Sequence, residues 1–274
     1  MNTKRTGFIG AGNMAQAIIG GLIKTGTSPE QISIFEPNTE LAETLASGLG
    51  VLAVSENTKI FEDCDVIVLA VKPQVMQAVL ESVKGTTLKP GAFIVSVAAG
   101  LPIHLLQGWL GEQHPVVRVM PNTPALVGAG VSGLFASEQA SDEQKQAAES
   151  ILRAVGSVVW VDSEELIDSV TAVSGSGPAY FFYFIEALER AALDNGLSAE
   201  QARLLSLETA FGAAKLALES NADAATLRER VTSPGGTTEA ALQVFKKHAI
   251  SDSIAEAVSA AADRARELAK NANK

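Results

Sequence analysis

The chain is poor in the residues that most often carry chemistry. Its 274 residues include three histidines, one cysteine, two tyrosines and two tryptophans. A lone thiol, Cys64, cannot form an internal disulfide, and no metal-ligand pattern surrounds it, so neither a disulfide framework nor a metal site organises the fold. Such a thiol suits a reducing compartment, and we expect a cytoplasmic protein. No apolar run approaches the ~20 residues of a membrane span. The longest, Val66–Val71 and Phe93–Ala99, have strand length. The N-terminus runs straight into a strand-turn pattern, without the charged and then apolar stretches of a secretion signal. Positive charge is scarce as well: 21 Lys and Arg stand against 31 Asp and Glu, a net charge of −10. Such a surface repels nucleic acid and anionic lipid, so neither is an expected partner. An anionic ligand must be held by local devices: helix N-termini, backbone N–H groups or single cations.

What is present is a well-packed globular composition, 47% hydrophobic and 19% charged. The first part alternates. Thr6–Ile9, Ile32–Phe35, Val66–Val71, Phe93–Ala98, Val116–Met120 and Ser157–Val161 read as strands. Between them, Asn13–Lys24 has apolar residues on one helical face. Asn38 caps a helix carrying Leu41 and Leu45, Ile103–Leu110 forms another, and Ser141 with Gln144 opens a third as a capping box. Strand-helix alternation at this spacing implies a parallel sheet covered on both faces, an α/β doubly wound Rossmann-type fold. After Ser163 no strand is evident. The segments Ala179–Asn195, Ala199–Ser220, Ala224–Val231, Thr238–Lys247 and Asp252–Lys270 have helical spacing, and Ser198 with Gln201 makes a second capping box. The expected division is a dinucleotide-binding domain over residues 1–163 and an all-helical domain over 164–274.

Gly10-Ala11-Gly12-Asn13-Met14-Ala15 matches G-x-G-x-x-A between a strand and an amphipathic helix. Gly10 permits a tight turn, Gly12 lets the backbone approach a pyrophosphate, and Ala15 lets helix and strand pack closely. Free N–H groups at the helix start suit phosphates. The second strand ends at Glu36. An acid there bonds ribose hydroxyls and disfavours a 2′-phosphate, although an exposed turn residue would look the same. Ala70-Val71-Lys72-Pro73 and Val97-Ala98-Ala99 end two further strands, where ligands of such sheets bind. Lys72 is either a phosphate-side cation or a solvated loop lysine. Asn122 offers an amide inside the stiff loop Met120-Pro121-Asn122-Thr123-Pro124.

Two Gly/Ser/Thr-rich segments stand before helices of the second domain. Ser174-Gly175-Ser176-Gly177-Pro178-Ala179-Tyr180 places a proline at a first helical position, and Ser233-Pro234-Gly235-Gly236-Thr237-Thr238 opens a later helix. Each alone reads as a capped helix start. Together, beside a dinucleotide fold, they point to a small anionic substrate.

With these motifs in family order and spacing, from about residue 6 to 268, the sequence resembles the pyrroline-5-carboxylate reductase family. The resemblance implies reduction of 1-pyrroline-5-carboxylate to L-proline, the last step of proline biosynthesis, with NADP or NAD in reduced form as hydride donor. It implies a helical domain that interlocks two subunits as a homodimer, possibly a decamer, with the small cyclic imino acid held where domains and subunits meet. By motif match, Ile9, Gly10, Ala11, Gly12, Asn13, Met14, Glu36, Asn57, Ala70, Val71, Lys72, Pro73, Val97, Ala98, Ala99 and Asn122 would line the cofactor. Ser233, Gly236, Thr237, Thr238 and Ser174 would bind substrate, with Thr238 hydrogen-bonding the imine nitrogen. Glu36 stands where NADP-using relatives often have Ser or Thr, and Arg230 stands near the expected cofactor phosphate. A strong general base is not needed for this chemistry, and His104, His114 and His248 lie outside every motif. Two rivals remain: a hydroxyacid dehydrogenase of the same plan, which would carry a lysine or acid where this chain has Tyr180–Phe184, and a non-catalytic dinucleotide sensor.

Overall fold

The computed structural model describes residues 4–111 and 114–272. It forms two compact units, residues 1–176 with 261–274, and residues 177–260. The first contains one eight-stranded sheet in the order β3-β2-β1-β4-β5-β6-β7-β8. Its strands are β1 (Thr6–Ile9), β2 (Ile32–Phe35), β3 (Leu52–Ala53), β4 (Val66–Leu69), β5 (Phe93–Ser96), β6 (Val116–Met120), β7 (Gly130–Ala136) and β8 (Gly156–Trp160). The strands from β3 to β6 in that order are parallel, as expected of a Rossmann sheet. β7 runs antiparallel to β6, and β8 pairs parallel to β7. The reversal follows from the connection: only a short loop with one 3-10 turn, Thr123–Val127, joins β6 to β7, too little chain for a parallel crossover.

Neighbouring strand residues divide between two cores. Phe8, Ile34, Val66, Val68, Val95 and Val117 face α1 (Asn13–Lys24) and α6 (Asp142–Arg153), meeting Ile18, Ile19 and Ile151. Ile9, Ile67, Leu69, Ile94 and Val116 meet Ile60, Met76, Leu80 and Leu106 from α3 (Asn57–Asp63), α4 (Pro73–Ser82) and α5 (Ile103–Leu110). Burial on both faces explains the unbroken apolar runs. α2 (Thr39–Leu49) is capped by Asn38, whose Oδ1 accepts from the N–H of Leu41. β3, β7, α3 and α4 are elements that the sequence pattern left as loop.

The second unit is helical: α8 (Gly177–Asp194), α9 (Ala199–Glu219), α10 (Ala224–Arg230), α11 (Thr237–Lys247) and the first part of α12 (Ile250–Asn271). Both capping boxes form, Ser141 with Gln144 and Ser198 with Gln201. The compact units divide at Ser176/Gly177. The short helix α7 (Leu166–Val170) packs on β6 and β7, and the end of α12 returns to the first unit, where Ala262 and Ala265 are buried. Among the described residues, no helix is long and apolar enough to cross a membrane.

Candidate functional site

One row of residues crosses the sheet: Phe35, Ile9, Leu69, Ser96 and Arg118 are register partners on β2, β1, β4, β5 and β6. Just beyond the first four stand Glu36, Gly10, Ala70 and Val97, each opening a loop at a strand's carboxyl end. Strand order reverses between β1 and β4, and the crevice outside that switch point is where dinucleotides bind. Most of the cofactor residues expected from sequence therefore lie along one edge.

The glycine turn has the shape a pyrophosphate needs. Gly10 has φ +90°, and a Cβ there would stand 2.8 Å from Val71 Cγ1 and 3.0 Å from the Ala70 carbonyl oxygen. The loops after β1 and β4 thus approach as only glycine allows. Gly12 is the N-cap of α1 and brings no side-chain cap, so the first N–H groups of this helix are open to an anion. The Ile9 side chain is fully buried, so only its backbone belongs to the edge. Glu36 Oε2 accepts from the Ala11 N–H at 3.0 Å, and Oε1 accepts from the Asn38 N–H at 3.2 Å. Asn57 opens α3 and donates from Nδ2 to Ser82 Oγ at 2.8 Å. Lys72 is the exposed N-cap of α4, with Pro73 as its first residue. Beyond β5, Ala98 is buried and Ala99 exposed.

Asn122 is 8% exposed and its amide is committed to the protein. Oδ1 accepts from the Val131 N–H at 2.9 Å and Nδ2 donates to the Ser174 carbonyl at 3.0 Å. It acts as a clamp between the end of β6, the start of β7 and the segment after α7. That segment differs from the expected free helix start. Residues Thr171–Gly175 form a π-helical turn, closed by the Ser176 N–H on the Thr171 carbonyl, and the chain passes on into α8. Pro178 has no N–H to return to the Ser174 carbonyl, and Asn122 supplies the donor instead. The Ser174 hydroxyl donates to the Val170 carbonyl at 2.9 Å. Ser174 is therefore a bonded residue inside a helical run.

The other segment is a true helix start. Gly236 is the N-cap of α11 without a side-chain cap, so the N–H groups of Thr237 and Thr238 are among those with no partner inside the helix. Ser233 and Thr237 are exposed, and Gly236 and Thr238 half-buried. Glu239, in the first turn, reaches back to accept from the Gly235 N–H at 2.7 Å. This fixes the loop and keeps a carboxylate beside the helix start. Uncapped N–H groups and hydroxyls thus gather at one terminus in the second unit.

A buried ionic group escaped the sequence reading. Arg118, on β6 with its side chain 4% exposed, pairs with Glu164 at 3.0 Å and lies 3.5 Å from Asp168 on α7. Glu164 also accepts from the Ile103 N–H at the start of α5, at 2.8 Å. The signal was an arginine inside the apolar run Val116–Met120. A cavity of about 980 Å³ opens elsewhere, lined by Arg5, Thr6, Thr27, Val66 and Arg153 among others. Thr6 and Val66 begin their strands, so it lies at the amino end of the sheet, away from the edge where such folds bind ligands.

Comparison with known proteins agrees with this layout. Residues 164–268 match the family model described as pyrroline-5-carboxylate reductase dimerisation, and residues 5–100 match one described as NADP oxidoreductase, coenzyme F420-dependent. A pyrroline-5-carboxylate reductase of Pseudomonas aeruginosa is 48% identical over 98% of both chains. The solved structure of a pyrroline-5-carboxylate reductase from Coxiella burnetii superimposes with a TM-score of 0.93 at 43% identity, covering 97% of this chain and 99% of that one. A Plasmodium falciparum pyrroline carboxylate reductase with NADP bound gives 0.85 at 30% identity, over 98% and 99%. The likeness spans both units and nearly the whole length of each relative, and the chain belongs to the pyrroline-5-carboxylate reductase family.

Proposed function

We propose that the chain reduces 1-pyrroline-5-carboxylate to L-proline with NAD(P)H, as a cytoplasmic enzyme of proline biosynthesis. The observation that carries this reading is full-length identity of up to 48% with reductases of that name. The glycine turn and the open start of α11 supply the two binding functions such a reaction needs.

A bound reduced nicotinamide supplies hydride to the imine carbon. The chain's own work is binding and alignment. The N–H groups at the start of α1 hold the pyrophosphate. Glu36 meets the adenosine ribose, and the loops Ala70–Pro73 and Val97–Ala99 line the remaining length, with Asn57 bracing α3 beside them. Asn122 serves by position, holding the Met120–Pro124 loop. At the substrate side, the N–H groups of Thr237 and Thr238 and the Ser233 hydroxyl take the carboxylate, with Gly236 leaving room. The Thr238 hydroxyl bonds the ring nitrogen, which must be protonated for its neighbouring carbon to accept hydride. The division into residues 1–163 for cofactor and 164–274 for substrate and dimerisation belongs to the same proposal. The assembly is a homodimer, and a decamer of such dimers would form through surfaces outside that pairing.

The test is oxidation of NADH or NADPH, followed by absorbance with 1-pyrroline-5-carboxylate. Rapid oxidation with formation of L-proline is expected. Thr238→Ala should lower turnover by roughly ten- to a hundredfold, the scale of one lost catalytic hydrogen bond, and Thr238→Ser should restore most of it. Folded protein that binds cofactor but oxidises neither form would instead favour a dinucleotide sensor.

A further inference from the structure

We infer that this chain selects NADH over NADPH, and that Glu36 is the residue setting the preference. The inference rests on the dinucleotide site proposed above but reaches further, since neither the family nor the fold decides it.

Three observations carry it. First, Glu36 begins the loop after β2, one position past the row that contains Ile9, where the ribose of the adenosine is met in this fold. Second, its carboxylate is fixed. One oxygen accepts from the Ala11 N–H in the glycine turn and the other from the Asn38 N–H. Rotating it out of the way would strip both N–H groups of their acceptor, so it does not yield readily to a bulky anion. A carboxylate has about four lone-pair sites, so one already holding two N–H groups still accepts from a ribose 2′-hydroxyl. A 2′-phosphate can donate nothing comparable and brings ~1.5–2 negative charges of its own.

Third, the loop after β2 brings no cation of its own. From Ile32 to Thr58 the sequence holds Glu36, Glu40, Glu43 and Glu56 and no Lys, Arg or His. The next cation, Lys59, is paired with Glu62 at 3.0 Å. The start of α2, another candidate anion site, is already capped by Asn38 on the Leu41 N–H. Lys72 follows β4, which lies on the far side of β1 from β2, roughly 10 Å from the β2 edge at ordinary strand spacing.

The experiment has a binding arm and a turnover arm, both on the full chain. Calorimetric titration with NAD⁺ and NADP⁺, without substrate, should show NAD⁺ bound at least about tenfold more tightly. The kcat/KM ratio of NADH to NADPH should show the same preference. Glu36→Ser and the nearly isosteric Glu36→Gln should each move both ratios toward the phosphorylated cofactor by about tenfold or more. Glu36→Gln keeps the shape if Glu36→Ser fails to fold. Equal or tighter binding of NADP⁺ by the unaltered chain overturns the inference. So do unchanged ratios in the folded variants. Loss of an NADP⁺ preference in Arg230→Ala would transfer the discriminating role to Arg230. Because the binding arm needs no imine, absent turnover with selective NAD⁺ binding would sink only the reductase reading.

Discussion

Asn122 shows how one side chain can substitute for a missing backbone donor. Pro178 removes a hydrogen-bond donor from the helical run, and the Asn122 amide answers the Ser174 carbonyl while holding the Val131 N–H. Asn122→Ala would leave both half-buried groups without their partner, and at roughly 1 kcal/mol or more for each we expect a loss of about 2–3 kcal/mol in denaturant unfolding. Asn122→Asp keeps an acceptor for Val131 but turns an oxygen toward the Ser174 carbonyl, so it should not restore stability. A second residue-scale expectation concerns Cys64. Burial pushes its thiol up to about 11, from an ordinary value of 9.0. A thiol reagent at pH 8 should therefore leave the native chain unmodified and react on unfolding. The thiol ionises later in the folded than in the unfolded chain. Its share of stability is full below pH 9 and is lost as pH rises toward 11, a fall of at most about 3 kcal/mol. Stability unchanged across that window in the unaltered chain, relative to Cys64→Ser, would contradict the shift.

Legibility varied at the scale of elements for physical reasons. β1, β2, β4, β5 and β6 were readable because both faces are buried and their sequences are continuous apolar runs. β7 was not. Its Gly133 is required by packing, since a Cβ there would meet Val170 Cγ1 at 2.6 Å, and glycine in the run hides the strand. β3 is two exposed residues and carries no pattern. The cofactor turn was legible because its chemistry is local, whereas the helical continuity through Ser174–Ser176 depends on Asn122, 52 residues away in sequence. The Arg118 cluster belongs to this scale because it joins three elements: β6, the start of α5 and α7. Removing one partner of a buried pair strands the other charge. Glu164→Ala leaves the buried Arg118 only Asp168, at 3.5 Å, and should cost up to roughly 3 kcal/mol, against less for Arg118→Met combined with Glu164→Gln, which removes the buried cation. Equal losses in the single and double variants, measured by urea unfolding, would show that the pair is not what holds these elements together.

At the scale of the whole molecule, the second unit leaves a large apolar surface uncovered in a single chain. Its helices carry Phe181, Phe182, Tyr183 and Phe211 at 65–76% exposure and Leu218 at 88%, while α9 buries only Ala202 and Ser206. Isolated exposed apolar residues are ordinary, but this many on packed helices mark a surface made to be covered. The match of residues 164–268 to a dimerisation model points to a second copy as the cover. Four consecutive aromatics, Phe181–Phe184, span more than one face of α8. Light scattering should accordingly give at least twice the chain mass at micromolar concentration, and thermal midpoints should rise with protein concentration. Phe211→Ala should weaken association by roughly 2 kcal/mol or more, about thirtyfold in Kd. Turnover should fall with dissociation if the second copy stabilises the unit that carries Thr238. A monomer of full stability and activity at all concentrations would mean that something other than a second copy covers these helices.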